Sequence, residues 1–132
     1  MDASKILKLG FSSQKEFIVE EEHAASHIGS GSVRVLGTPI MILFIENTAC
    51  TMIEEYLPET HTSVGILVNV RHLAPSQVGS TIRAEVSIEA VKGNKIILAV
   101  SAWEGEKKVG EGTHERYVVE RKHFLQQIES TD

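Results

Sequence analysis

The feature that most constrains the fold is an apolar segment that follows Thr38–Pro39 and stops before Pro58. Threonine can cap the free backbone N–H groups at a helix start, and proline suits the first helical turn. The sequence therefore predicts a helix from Thr38 to about Tyr56. Its apolar residues lie on nearly every side, which is typical of a helix enclosed by other structure, so we expect it to be central. These residues are Ile40, Met41, Ile42, Leu43, Phe44, Ile45, Ala49, Met52 and Ile53.

The chain after Pro58 has the pattern of β-strands up to about residue 119. Residues 81–91 alternate apolar and polar side chains, which is typical of a strand with one dry face and one wet face. Gly93-Asn94 predicts a two-residue hairpin into a strand at 95–104, and Gly105 marks a second turn into 107–120. We expect these three strands to form an antiparallel meander.

Four further elements are predicted by weaker patterns. A strand over 63–73 ends at Ala74-Pro75, and short strands are predicted at 15–20 and 33–36. A closing helix is expected from Arg121. The order of a strand, a long helix and four antiparallel strands predicts an α+β domain, with an antiparallel sheet wrapped around one central helix. The hotdog fold has this arrangement.

Length and charge limit the classes of function. The chain has 132 residues without an internal repeat, so we expect a single domain over 1–132. Its formal net charge of −5 opposes binding to nucleic acid, which requires a basic surface. The N-terminus lacks a signal-peptide pattern, and the long apolar run is interrupted, so no membrane span is expected. Cys50 has no partner in the chain, which favours a reducing, cytoplasmic location.

Two other possible sites are weaker. His23 and His27 are four residues apart, a spacing that can bind zinc on a helix, but no third ligand of suitable spacing follows. We therefore expect no metal site. Cys50 has no neighbour in sequence that would activate a thiol, so a buried structural role is favoured over that of a nucleophile.

Three motifs together resemble the hotdog thioesterases, and within them the group typified by fluoroacetyl-CoA thioesterase. Thr38 starts the long helix and Glu46 follows eight residues later. His72 ends the next strand in the sequence NVRH, and the last strand contains GTHER. The resemblance covers roughly residues 30 to 120. It implies a hotdog fold, hydrolysis of an acyl-CoA thioester, and a reactive site made of Thr38, Glu46 and His72 near a subunit interface.

Further expectations accompany this resemblance. Gly37, Arg71, His114 and Arg116 are candidates for contact with the substrate or coenzyme A, although His114 and Arg116 also fit a structural hydrogen bond and ion pair between strands. Coenzyme A enters only as part of the substrate, so no cofactor is expected. The expected partners are an acyl-CoA and a second copy of the chain, in a homodimer or a dimer of dimers.

Each candidate has a chemical role in thioester hydrolysis. His72 can shuttle a proton near neutral pH, and Glu46 is a candidate base inside an apolar helix. Thr38 can act as a nucleophile or position a water molecule, and the helix N-terminus offers N–H groups to an oxyanion. Eight helical residues rise about 12 Å, so Thr38 and Glu46 of one chain cannot bond to each other. We therefore expect a site that crosses a subunit interface.

The acyl group and one alternative function stay open. In the fluoroacetyl-CoA enzyme, bulky aromatic residues precede the helix and cover the substrate, whereas this chain has Gly29–Ser32 there. Acyl chain length depends on the packing around Ile42, Ile45, Ala49 and the partner subunit, so the acid stays open at this point. The expected substrate is a small or medium acyl-CoA. The alternative is a non-catalytic module that binds or senses acyl-CoA in the same groove.

Overall fold

The computed structural model describes residues 1–129, so the last three residues of the expected 1–132 domain lie outside the described part. Short 3-10 helices at Ala3–Lys5 and Glu21–His23 lie near the N-terminus. The strands and α-helices are, in chain order, β1 (Ser12–Ile18), α1 (Ala25–Ile28), α2 (Thr38–Tyr56), β2 (His61–His72), β3 (Thr81–Lys92), β4 (Lys95–Glu104), β5 (Lys107–Glu120) and α3 (Arg121–Glu129).

Helix α2 has the predicted bounds, but its start differs in detail. Gly37 occupies the N-cap position and Thr38 is the first helical residue, so the predicted capping role of Thr38 is wrong. The helix ends at Tyr56 because Leu57 is extended, the conformation that a residue before proline favours. Within residues 1–129, no helix is both long and apolar enough to cross a membrane.

One face of α2 packs on the sheet, at the three- and four-residue spacing of a helical stripe. The opposite side is open in the single chain, where Leu43 is 51% exposed. The helix is therefore central, as predicted, but it is not enclosed on every side. Its buried residues are Met41, Phe44, Ile45, Thr48, Ala49, Met52 and Ile53.

The sheet has five antiparallel strands in the order β1-β3-β4-β5-β2. The predicted meander of β3, β4 and β5 is confirmed, with its first hairpin at Gly93-Asn94 between the paired residues Lys92 and Lys95. Gly93 and Gly105 have φ of 63° and 61°, a backbone conformation that glycine adopts at little cost. The α+β architecture expected from the sequence is thus confirmed.

Two of the weaker strand predictions need correction. The first strand covers 12–18 rather than 15–20, and it pairs with β3. Residues 33–36 do not form a strand. Val35 and Leu36 make only isolated bridges to Gln77 and Ala24, because no neighbouring strand lies alongside this segment.

Strand β2 forms one edge of the sheet, and its middle is exposed. Ile66, Leu67 and Val68 are 50%, 42% and 37% exposed. The register with β5 shifts between Gly65 and Leu67, so a β-bulge interrupts the edge there. This strand also carries His72 at its end, so the free edge and a predicted site residue belong to one element.

Replacement of Ile45 by alanine tests the packing of α2. Ile45 is fully buried, so Ile45→Ala should lower the free energy of unfolding by about 2–5 kcal/mol. Glu55→Ala, on the exposed part of the same helix, is the control and should change it by less than about 0.5 kcal/mol. Urea unfolding at a fixed protein concentration measures both, and equal effects would contradict the described packing.

Candidate active site

Thr38 and His72 meet where the first turn of α2 lies beside the end of β2. The Thr38 Oγ1 atom lies 2.8 Å from His72 Nδ1, which is a hydrogen-bonding distance. Alternation along β2 turns His72 to the face covered by α2, whereas the preceding Arg71 faces the other way. The hydroxyl that was predicted to cap the helix is therefore bonded to an imidazole.

The environment of His72 keeps its ring neutral. Burial lowers the pKa of His72 below its ordinary value of 6.5, and the Ala74 backbone opposes this with a smaller effect. The second ring nitrogen, Nε2, is buried and has no hydrogen-bond partner among residues 1–129. An unpaired buried acceptor is better tolerated than an unpaired N–H. A neutral ring can donate to Thr38 from Nδ1 in one tautomer or accept from its hydroxyl in the other, so the group that meets Nε2 determines the direction of this bond.

An open cleft of about 330 Å³ adjoins this pair. Its walls are mainly aliphatic, and they include no aromatic residue other than the His72 ring. Such a cleft has room for a small aliphatic group next to the hydroxyl and the imidazole. The lining residues are Ala25, Ser30, Val35, Leu36, Thr38, His72, Leu73, Ala74 and Pro75.

Gly37, a predicted substrate contact, is buried at the start of α2. A Cβ atom at this position would lie 2.7 Å from Ile28 Cδ1, so glycine permits the close approach of α1. Its N–H donates to the carbonyl of His23 and its carbonyl accepts from Ile40 N–H. Because Pro39 has no N–H, the N–H of Thr38 is the donor left open at this helix end, within the described chain.

Glu46 lies two turns further along α2, against a second group of polar residues. Its Oε2 atom is 3.4 Å from Arg116 Nη1 and 4.0 Å from His114 Nε2. Arg116 also donates from Nε to Ser63 Oγ at 2.7 Å and from Nη2 to the Ser63 carbonyl at 3.0 Å. A Cβ atom on Gly65 would approach Glu46 Oε2 to 2.5 Å, so glycine leaves room for the carboxylate.

His114 completes this group and is fully buried. Its Nδ1 atom lies 2.8 Å from the Leu67 carbonyl, and its Nε2 atom lies 3.2 Å from Arg116 Nη1. Burial and, to a smaller extent, the charge of Arg116 lower the pKa of His114, whereas the Leu67 backbone and Glu46 raise it. The net direction is downward, so the ring is neutral at pH 7.

The structure thus brings the predicted residues together in two groups instead of one. Thr38, His72 and Gly37 lie at the N-terminal end of α2, and Glu46, His114 and Arg116 lie two turns away. Arg71 belongs to neither group. It lines a trough of about 870 Å³ with Lys108 and Glu111, on the sheet face opposite α2.

Sequence reasoning missed Ser63 and Gly65, which hold Arg116 and make room for Glu46. A glycine inside a strand pattern is a signal of close backbone approach, and Gly65 carried that signal. No sequence signal indicated a role for Ser63, because its role depends on the bonds that it makes to the distant Arg116.

The residues considered for zinc do not form a site of that kind. His23 lies in a 3-10 helix and accepts a hydrogen bond from Glu20 N–H at Nδ1, whereas His27 belongs to α1. Over residues 1–129, no group of three or more His, Cys, Asp or Glu side chains is placed to hold a metal ion.

An antiparallel five-stranded sheet packed on one long helix defines a hotdog-like protein. A hot-dog-like protein from Thermanaerovibrio acidaminovorans has the same fold, with a TM-score of 0.89 at 22% identity over 99% of this chain and 97% of that chain.

Residues 19–122 match the family of the fluoroacetyl-CoA-specific thioesterase, FlK, and the chain belongs to this family. The fluoroacetyl-CoA thioesterase of Streptantibioticus cattleyicolor is 26% identical over 124 residues, which cover 89% of each protein. A crystal structure of a variant of the fluoroacetyl-CoA-specific thioesterase with fluoroacetate and CoA gives a TM-score of 0.84 at 25% identity, over 89% of this chain and 99% of that chain. The expected family resemblance is confirmed.

The lowered pKa of His114 predicts that stability decreases in mild acid. The unfolded chain binds a proton on this histidine near pH 6.5, whereas the folded chain binds it only at lower pH. The unfolding free energy should therefore fall as pH drops below about 6.5, by at most about 1.4 kcal/mol per pH unit for this group. His114→Gln, which cannot titrate, should show a smaller pH slope in urea unfolding between pH 7 and 5.5. Equal slopes in the two proteins would contradict the assignment.

Proposed function

We propose that this protein hydrolyses the thioester of a small or medium acyl-CoA to a free acid and coenzyme A. The observation that carries the proposal is the 2.8 Å contact between Thr38 Oγ1 and His72 Nδ1 beside an aliphatic cleft. A hydroxyl bonded to a neutral imidazole is the arrangement by which a weak oxygen nucleophile is activated. Membership in a family of thioesterases supports the same reaction.

The reaction requires proton transfer in two directions. His72 removes the proton from the attacking oxygen, which belongs to Thr38 or to a water molecule bonded to it. The oxygen attacks the thioester carbonyl, and the open N–H of Thr38 donates to the oxyanion at the positive end of α2. His72 then returns the proton to the departing coenzyme A thiolate. Attack by water yields the free acid directly, whereas attack by Thr38 leaves an acyl ester that a water molecule activated by His72 cleaves in a second step, which restores the hydroxyl.

His72 can accept a proton at Nδ1 only if Nε2 carries one, and a buried N–H needs an acceptor. Nε2 forms no hydrogen bond of good geometry within the described chain, where the Ala74 backbone supplies a weaker interaction with the ring. A carboxylate at this position would hold the required tautomer and stabilise the charged imidazolium. Glu46 of the same chain is eight helical residues from Thr38, a rise of about 12 Å, so we assign this role to Glu46 of the partner subunit.

The free edge of β2 supports a homodimer that brings these groups together. Ile66, Leu67 and Val68 leave an apolar stretch exposed on an unpaired strand edge, which is a surface that a second strand can cover. A two-fold axis through the middle of this edge would pair the two β2 strands antiparallel and bring the His72 end of one strand toward the Gly65 region of the other. Glu46 packs against Gly65, in that same part of β2.

The acyl group that we propose is aliphatic and short to medium in length. The cleft walls are aliphatic, and the loop beside them contributes Ser30 rather than an aromatic side chain. The relative from Streptantibioticus cattleyicolor acts on fluoroacetyl-CoA by its name. The absence of aromatic walls around the cleft in the described chain favours a broader set of acyl groups here.

Thiol release from a panel of short, medium, branched and aromatic acyl-CoAs tests the function. His72→Ala should lower kcat/KM at least about 100-fold, because the proton shuttle is lost. Thr38→Val should show a comparable loss, since it keeps the shape of the side chain without the hydroxyl. Thr60 and His61 form a similar pair, with Oγ1 2.8 Å from Nδ1, outside the cleft. His61→Ala and Thr60→Val are therefore matched controls and should keep wild-type activity.

No thiol release from any acyl-CoA, together with tight binding of one of them, would replace the hydrolase by the non-catalytic binding module. Loss of activity in the His61 and Thr60 controls would show instead that general damage to the fold explains the effects.

Mixing two inactive variants tests the shared site. A heterodimer of Thr38→Val and Glu46→Gln chains keeps one intact site, because one chain supplies Thr38 and His72 and the other supplies Glu46. Random exchange of subunits should restore about a quarter of wild-type activity from inactive parents. An absence of recovery, after exchange is demonstrated by native mass spectrometry of tagged chains, would show that each site lies within one chain.

A further inference from the structure

We propose that His114 is a positioning residue that fixes the Glu46 carboxylate through Arg116. The inference rests on the proposed function, because it gives a fully buried histidine a task in setting the geometry of a catalytic group. His114 belongs to the GTHER motif, and no step of hydrolysis described above uses its side chain.

The two contacts of the ring admit one protonation state. The Leu67 carbonyl is only an acceptor, so His114 Nδ1 must carry a proton and donate it across 2.8 Å. A guanidinium is only a donor, so Nε2 must be unprotonated and accept from Arg116 Nη1 across 3.2 Å. Neutral imidazole with the proton on Nδ1 satisfies both bonds, and the protonated ring cannot.

The charged groups around the ring agree with a neutral state. Arg116 faces it from the same strand and disfavours a second positive charge, whereas Glu46 from α2 and Glu115 from β5 act in the opposite direction. Burial is the largest influence and favours the neutral ring. His114 is therefore an acceptor for Arg116 rather than a proton donor to Glu46, whose Oε2 atom is 4.0 Å away.

The guanidinium of Arg116 is held on both sides. Two bonds to Ser63, from Nε and Nη2, fix one edge. On the other edge, Nη1 has two hydrogens, of which one can reach His114 and the other Glu46 Oε2 at 3.4 Å. Removal of the His114 acceptor would leave one Nη1 hydrogen unpaired, so the planar guanidinium would tilt about its two bonds to Ser63 and its bond to Glu46 Oε2 would shift. The position of the carboxylate thus depends on a residue that does not touch it closely.

The same ring connects Glu46 to the free edge of the sheet. Leu67, which accepts the Nδ1 proton, is the first paired residue after the bulge and is 42% exposed. One imidazole is therefore bonded both to the backbone next to the bulge, at Leu67, and to the guanidinium of Arg116. The side chain of Glu46 is 36% exposed, so its carboxylate stays accessible to the imidazole that we propose a partner subunit brings along this edge.

Two substitutions separate the two bonds of His114. The amide nitrogen of His114→Asn can replace Nδ1 and donate to Leu67, but it leaves Arg116 Nη1 without its acceptor. The amide oxygen of His114→Gln can replace Nε2 and accept from Arg116. We expect His114→Asn to lower kcat about 10- to 100-fold with KM within about twofold, because the carboxylate is displaced. His114→Gln should keep kcat within about threefold of wild type.

Controls and a spectroscopic measurement complete the design. His61→Asn and His61→Gln, at the first residue of β2 and outside the cluster, should leave kcat unchanged. Two-bond ¹H–¹⁵N spectra of the wild-type imidazole at pH 7 should show a neutral His114 with its proton on Nδ1. Thermal unfolding of both His114 variants should give similar midpoints, which separates displacement of Glu46 from general destabilisation.

The possible results separate this inference from the proposed function. If the wild type hydrolyses acyl-CoA and His114→Asn keeps full kcat, the positioning role is wrong and the thioesterase stands. Equal losses of kcat in the Asn and Gln variants, or a proton on Nε2, would also overturn the role of His114 alone. If the wild type turns over no acyl-CoA, the proposed function fails, and the role of His114 in catalysis fails with it.

Discussion

The packing of α2 against the sheet is the constraint on which the rest of the structure depends. Burial of its apolar face stabilises the fold and also determines where each polar residue of the helix lies. Thr38, at the first position, meets the end of β2, and Glu46 meets the middle of the same strand. Because a helix rises about 1.5 Å per residue, the separation of these two groups is a property of the helix itself.

A polar cluster under α2 interrupts an otherwise apolar layer. Arg116 and His114 are buried there, and such groups are tolerated only when their hydrogen bonds are satisfied. Ser63, Leu67 and Glu46 supply the partners, so the cost of removing these groups from water is offset. By contrast, His72 keeps one unpaired ring nitrogen in the single chain. The hydrogen bonds of Arg116 and His114 are thus satisfied within the described chain, whereas those of His72 are not. This difference is the physical basis for the shared site that we propose.

Much of the fold could be predicted because patterns among neighbouring residues indicate its strands and turns. The meander between Thr81 and Glu120 follows from alternation and from glycine turns, both of which are properties of neighbouring residues. Segment 33–36 was predicted wrongly because the alternate valines Val33 and Val35 resemble a strand, whereas a strand requires a partner alongside. The cap was misassigned because the contact of Gly37 with Ile28 and the bond of Thr38 to His72 join distant parts of the chain.

By itself, the sequence determined the helix and the meander, and it supplied the candidate residues for which we propose a role in thioester hydrolysis. Only the tertiary structure decided how these residues are grouped. Thr38 and His72 are 34 positions apart, and Glu46 and Arg116 are 70 positions apart. Each contact therefore depends on the strand register and on where α2 packs on the sheet. The alternation of β5 put His114 and Arg116 on one face, but it could not say which carboxylate they meet. Such choices depend on packing between distant elements, which local patterns do not encode.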